Sequence, residues 1–155
     1  MDKPKIKIAD DDLLRNEIVR AMADKSQHAL SVWTMGCVLH MTDYLNRELI
    51  NDPRYEQAVG TILQWQNGNA AVKEVRAAGF DVHALAREVT DPVSKCILRA
   101  VGQAVGVGHM KEHAIVCTDY IIKAINLLAK NDTAMITKER EYQLRLLTGC
   151  ADENN

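Results

Sequence analysis

Apolar positions recur at helical spacing along almost the whole chain, and alternation of period two is confined to Lys5-Ile6-Lys7-Ile8, too short to build a sheet. The pattern predicts an all-α fold. Asp11 or Asp12 caps a short first helix through Leu13, Leu14, Ile18, Val19 and Met22, with acidic residues placed favourably against its dipole. Ser26 caps a second helix, about 27–50, whose broad stripe holds Leu30, Trp33, Cys37, Met41, Tyr44, Leu45 and Leu49. Asn51-Asp52-Pro53 ends it, and Pro53 suits the first turn of a third helix that runs through Tyr55, Ala58, Ile62 and Trp65 to a stop at Gly68.

A fourth helix covers about 69–89, with Gly79 as a kink inside it. Thr90-Asp91-Pro92 opens a fifth through Ile97, Leu98, Val101 and Val105, which Gly106-Val107-Gly108 loosens or turns. The sixth covers about 110–130, and Asn131-Asp132-Thr133 separates it from a last helix through Ile136, Tyr142, Leu146 and Leu147. Short connections favour antiparallel neighbours, so the predicted architecture is a compact antiparallel bundle of six or seven helices. Stacked helical hairpins are the alternative, although no clean repeat is visible. Gly102 and Gly106, one turn apart, permit close axial approach between helices.

Composition narrows the class. At 155 residues and 47% hydrophobic, the chain reads as one domain over 1–150 with a packed core, followed by a disordered tail at 151–155. A formal net charge of -2 supplies no overall field toward nucleic acid or anionic lipid, and no basic run is concentrated in the letters. No apolar run has the form of a signal peptide or a membrane span. Cys37, Cys96, Cys117 and Cys150 stand far apart with no C-x-x-C, which reads as small buried hydrophobes in a reducing cytoplasm.

The sharpest chemical pattern is His109-Met110-Lys111-Glu112-His113, an H-x-x-E-H motif in which two imidazoles one helical turn apart bind zinc and the glutamate acts as base. Such a site needs a third ligand. Asp119, Glu139 and Glu141 are acidic candidates without a fixing motif, and a non-catalytic metal site would draw on His40 or His83. The plainer reading places His109 and His113 on the inner stripe with Val116 and Tyr120, in structural or binding roles.

Other patterns carry less. Cys37 and His40, three apart, read as thiolate and base or simply as core, and core packing is preferred because nothing fixes an oxyanion site. Gly106-x-Gly108 lacks the preceding strand and the Lys-Ser/Thr of a phosphate loop, so it reads as a bend. Asp10 to Asp12, Asp43, Glu48, Asp52 and Glu56 offer an acidic surface for a basic partner, or merely a solvated face.

Four segments in order carry a family resemblance. Ala100-x-Gly102-Gln103-Ala104 followed by His109, His113-Ala114, Tyr120 and Ala124 resembles the pattern A-x-G-[HQ]-A-x-x-x-x-H-x-x-x-H-A of small helical immunity proteins in bacterial polymorphic-toxin systems. Ala29 to Cys37 with Trp33 resembles that family's A-x-x-x-W-x-x-x-C helix; Ala58, Trp65 and Gly68 resemble A-x-x-x-x-x-x-W-x-x-G; Glu139-Arg140-Glu141-Tyr142-Gln143 resembles E-R-x-[WY]-Q. Gly106 and Gly108 depart from the alanine or threonine expected before the first histidine, and the segment before Gln27 matches nothing in the pattern.

The resemblance implies a cytoplasmic, non-catalytic protein that binds a cognate protein toxin and occludes it. It implies no cofactor, no nucleic acid and no membrane, and leaves self-association open. His109 and His113, with Gln103, Trp33 and Tyr120, become the expected binding residues on a concave face. Under the alternative, a metal-dependent enzyme or metal-binding protein, His109, His113 and Glu112 hold zinc or another divalent ion. A helical interaction scaffold of other purpose would look the same in sequence.

Overall fold

The computed structural model describes residues 3–149. Among these residues the chain is all helical and without strands: α1 Asp12–Met22, α2 Gln27–Leu39, a 3-10 turn Thr42–Tyr44, α3 Arg47–Ile50, α4 Pro53–Gln66, α5 Val72–Glu88, α6 Pro92–Gly106, α7 His113–Leu128 and α8 Thr133–Thr148. Most helices start on a side-chain acceptor that satisfies an otherwise orphaned first-turn N–H. Asp11 accepts from the Leu14 amide, Ser26 from Ala29, Asp52 from Arg54, Asp91 from Ser94 and Asp132 from Ala134. At the end of α4, Gly68 takes φ 79° while the Gly68 and Asn69 amides return to the Trp65 and Gln64 carbonyls, which is the stop expected there.

One apolar cluster runs from Ile18 to Leu147, drawing on α1, α2 and α4 to α8, so the helices share a common core. α6 is central, packing most extensively on α7 and α5 and also touching α2 and α4, while α1 lies against α8. The result is a compact helical bundle. Cys37 and Cys117 are buried in that core as free thiols, and Cys96 is half-buried. Cys150 and the 151–155 tail lie outside the described residues. No helix among the described residues is long and apolar enough to cross a membrane.

Two predicted elements change. The single helix expected over 27–50 is divided: α2 ends at Leu39, and the backbone turns through Met41 to Leu45, where the Thr42 hydroxyl donates to the Leu39 carbonyl. Phase is lost with it: Met41 is buried but Tyr44 is half exposed, and α3 is the detached last turn, which raises the helix count to eight. The sixth predicted helix starts three residues late, at His113, because Val107 to Glu112 form a turn after α6. The Val107 carbonyl accepts from Gln27 Nε2 at 2.7 Å, tying this turn to the start of α2.

The expected acidic surface is also corrected. Asp10 is drawn into the interior, where it accepts from Arg140 Nε at 2.9 Å and Nη2 at 2.8 Å. Asp11 and Asp52 are helix caps, and Asp52 further accepts from Arg54. A strap formed by residues 3–11 crosses α7. It is fixed there by paired bonds between Ala9 and Asn126, and by Lys123 Nζ donating to the Lys7 carbonyl.

Candidate functional site

Helical spacing on three elements builds one groove. Arg76, Phe80 and His83 stand at i, i+4 and i+7 on α5, and therefore share a face. Gly102 and Gly106 stand one turn apart on the adjoining α6, and His113 opens α7 after the turn that carries His109. Together with Val75 and Gly79 these residues enclose a groove of about 210 Å³.

The glycines have separate reasons. A Cβ on Gly102 would fall 2.5 Å from His83 Nε2, and one on Gly106 would fall 2.9 Å from His113 Cδ2, so both clear space for an imidazole. Close helix approach, expected at Gly102 and Gly106, occurs at Gly102, whose carbonyl lies 3.9 Å from where a Cβ on Gly79 would stand. The missing side chains leave a floor of bare backbone.

Hydrogen bonds set the tautomers. Arg99 Nη1 donates to His83 Nδ1 at 3.3 Å, which leaves the proton of neutral His83 on Nε2. His113 Nδ1–H donates to Gln103 Oε1 at 2.7 Å, which leaves Nε2 as an acceptor. Burial, followed by the nearby Arg99, His113 and Arg87 charges, pushes the His83 pKa down to about 4. Burial first, then His109 and Lys5, lowers that of His113, against a smaller opposing effect of Glu112. Both rings are neutral near pH 7 and lie in a region of positive potential.

The expected residues therefore divide. His109 and His113 do line one hollow, with ring centroids 6.1 Å apart, although His109 lies on a turn and the pair does not share a helix. Gln103 orients His113. Trp33 is elsewhere: it is 1% exposed and its Nε1 donates to the Gln143 carbonyl at 2.9 Å, so it braces α2 on α8. Tyr120 packs half-buried against the core and does not line the groove.

Glu112 lines a separate recess with Lys5, Arg15 and Asp119, away from the groove. The H-x-x-E-H spacing thus loses the shared helical face its metal reading needs, and no three His, Cys, Asp or Glu among the described residues are grouped to hold a metal ion. His40 is distant from the groove histidines: its ring stacks on Tyr142 with centroids 4.0 Å apart, and Nε2 meets Glu139 Oε1 at 3.1 Å. The neighbouring Cys37 thiol is pushed well up by burial, which suits core packing and opposes a thiolate.

Sequence reasoning missed Arg76, Phe80 and Arg99 and gave His83 only a passing place. The available signal was the i, i+4, i+7 set on α5, of which the chain's single phenylalanine is the middle member, 67% exposed.

The model of the Imm-5 like putative immunity protein family matches residues 20–150. The chain belongs to that family. The match takes in every groove residue, whereas the strap and most of α1 precede it. No curated protein and no solved structure matches the chain.

Proposed function

We propose that this chain is a non-catalytic immunity protein that binds a protein toxin and covers the surface the toxin needs, with the groove-bearing face of α5 and the α6–α7 turn at the centre of the contact. The family match over residues 20–150 carries this reading. Occlusion requires a rigid scaffold presenting a patch with an apolar anchor, since affinity in such interfaces concentrates in a few well-packed side chains. The groove face supplies that anchor in Phe80, with Val72 and Met110 also exposed. A stable complex covers about 800 Å² on each partner, so the groove is the centre of a wider footprint. His109 and His113 form one wall, with Gln103 behind His113; Trp33 and Tyr120 support the scaffold. The mechanism needs no metal or cofactor, and it operates in the cytoplasm of the cell being protected.

The test is co-expression with the toxin encoded beside this gene. Growth is rescued, a stoichiometric complex is isolated, and toxin released from it has unchanged mass and regains activity. Absence of both rescue and complex overturns the reading, and a covalently altered toxin overturns its non-catalytic part.

A further inference from the structure

Arg15 and Arg140 pair with Asp10 and Asp119, and Arg54 pairs with Asp52 and Glu88. Lys73 and Arg76, which line the hollows beside Phe80, have no carboxylate within ion-pair distance among the described residues. Arg76 and Phe80 form the ridge between the groove and a second depression of about 320 Å³, lined also by Val72, Lys73 and Ala77. The carboxylates on neighbouring elements, Glu74, Asp81 and Glu112, line neither hollow. In a chain of net charge -2, the two hollows beside the exposed Phe80 ring are lined by Lys73 and Arg76 and by no carboxylate.

We propose that this double hollow receives an acidic segment of the partner protein, in which one or two carboxylates flank an apolar or aromatic side chain. The inference rests on the immunity reading only for the identity of the partner as a protein. Carboxylates meet Arg76 and Lys73 at the ridge and His83 Nε2–H within the groove, while the apolar side chain lies on Phe80 and the glycine floor. Complementary charge is the reason for choosing this occupant: a basic segment would face Lys73 and Arg76 with no carboxylate in the lining, and a wholly apolar one would leave both desolvated without partners.

Binding is then linked to protons. His83 is held neutral by burial and by Arg99, Arg87 and His113; His113 is held so by burial, His109 and Lys5, with Glu112 opposing. An added carboxylate favours the imidazolium form of both, so the complex takes up protons and tightens as pH falls from 7.5 to 5.5.

The test is an NMR titration of the whole protein with two probes, acetyl-Glu-Phe-Glu-amide and acetyl-Lys-Phe-Lys-amide. The acidic peptide shifts the ring signals of Phe80, His83 and His113 saturably and binds severalfold tighter at pH 5.5 than at 7.5; the basic peptide does not. The surface variant Lys73→Glu/Arg76→Glu, which leaves the core untouched, weakens acidic-peptide binding roughly tenfold or more. Equal response to both peptides, no response to either, or saturation only by inorganic phosphate or an oligonucleotide overturns the proposal. The two readings fail separately. A toxin complex indifferent to Lys73→Glu/Arg76→Glu overturns the groove's role and leaves the immunity function standing, whereas peptide binding without any neutralised toxin does the reverse.

Discussion

Arg140 Nη2 donates to Asp119 Oδ1 at 2.7 Å with both side chains sealed from solvent, 0% and 1% exposed. The pair is the middle of a larger neutral set. Asp119 also takes Arg15 Nε at 2.9 Å and Nη2 at 2.7 Å, while Arg140 donates to Asp10, to Thr118 Oγ1 and to Gln143 Oε1. Two guanidiniums and two carboxylates thus join the strap, α1, α7 and α8. Burying such charges is tolerable only when nearly every donor and acceptor is used. Asp119→Ala leaves two buried cations short of an acceptor and should lower the unfolding free energy by about 3–5 kcal/mol. Urea denaturation followed by tryptophan fluorescence checks this; a loss below about 1 kcal/mol would mean that both arginines reach solvent.

The same set divides what the letters reveal from what they hide. Asp11, Ser26, Asp52-Pro53, Gly68 and Asp91-Pro92 were readable as boundaries because caps and stops act through neighbours a few residues away, and all of them function as expected. Asp10 was misread as surface because its partner Arg140 lies 130 positions away, a pairing that local pattern cannot contain. The break after Leu39 is hidden because the apolar stripe continues in phase through Tyr44 although the helix does not.

At the groove, His109, His113 and Gln103 are legible through short motifs, although the H-x-x-E-H spacing presumes a continuous helix through 109–113 that a turn replaces. Arg76, Phe80, His83 and Gly102 sit on two helices, and their meeting depends on how α5 packs against α6. Gly102 has a second role beyond helix approach. Its absent side chain makes room for a ring 19 positions earlier in the chain, which no single-helix pattern displays.

Stability should depend on His83 between pH 6.5 and 4. Its pKa in the folded protein, about 4, lies below the ordinary 6.5, so over this interval the unfolded chain binds the extra proton. The contribution is therefore complete above pH 6.5 and lost as pH falls through 4. Burial leads the effect, with Arg99 and His113 from the neighbouring helices and Arg87 on α5 reinforcing it. His83→Gln should lose less stability than the parent between pH 6.5 and 4.5 in parallel thermal melts. Identical pH slopes would place His83 in solvent.

Lys130 is a site where one substitution should stabilise. Its φ of 51° lies in the left-handed region just past α7, and the Asn131 amide returns to the Asn126 carbonyl to close that helix. A side chain with a Cβ is strained there and glycine is not. Lys130 is exposed and has no ion pair among the described residues, so little else is removed. Lys130→Gly should raise the unfolding free energy by about 0.5–1 kcal/mol, read as a higher urea midpoint at unchanged slope.

The glycine floor makes the sharpest structural test, because its members should respond differently to the same added methyl group. In Gly102→Ala the new Cβ lies 2.5 Å from His83 Nε2, so the ring must swing out, losing its bond from Arg99 and its burial. The protein should remain folded at a cost of about 1–3 kcal/mol, and the His83 pKa should rise from about 4 toward the ordinary 6.5. Gly79→Ala is the control. Its Cβ meets nothing closer than 3.9 Å, so the better helix propensity of alanine should leave stability equal or improve it by up to about 1 kcal/mol, with the His83 titration unmoved. Denaturation curves and NMR titration of the His83 ring separate the two variants. If Gly102→Ala leaves the His83 titration where it was, that imidazole does not rest on α6 and the groove wall has been assigned to the wrong side chain.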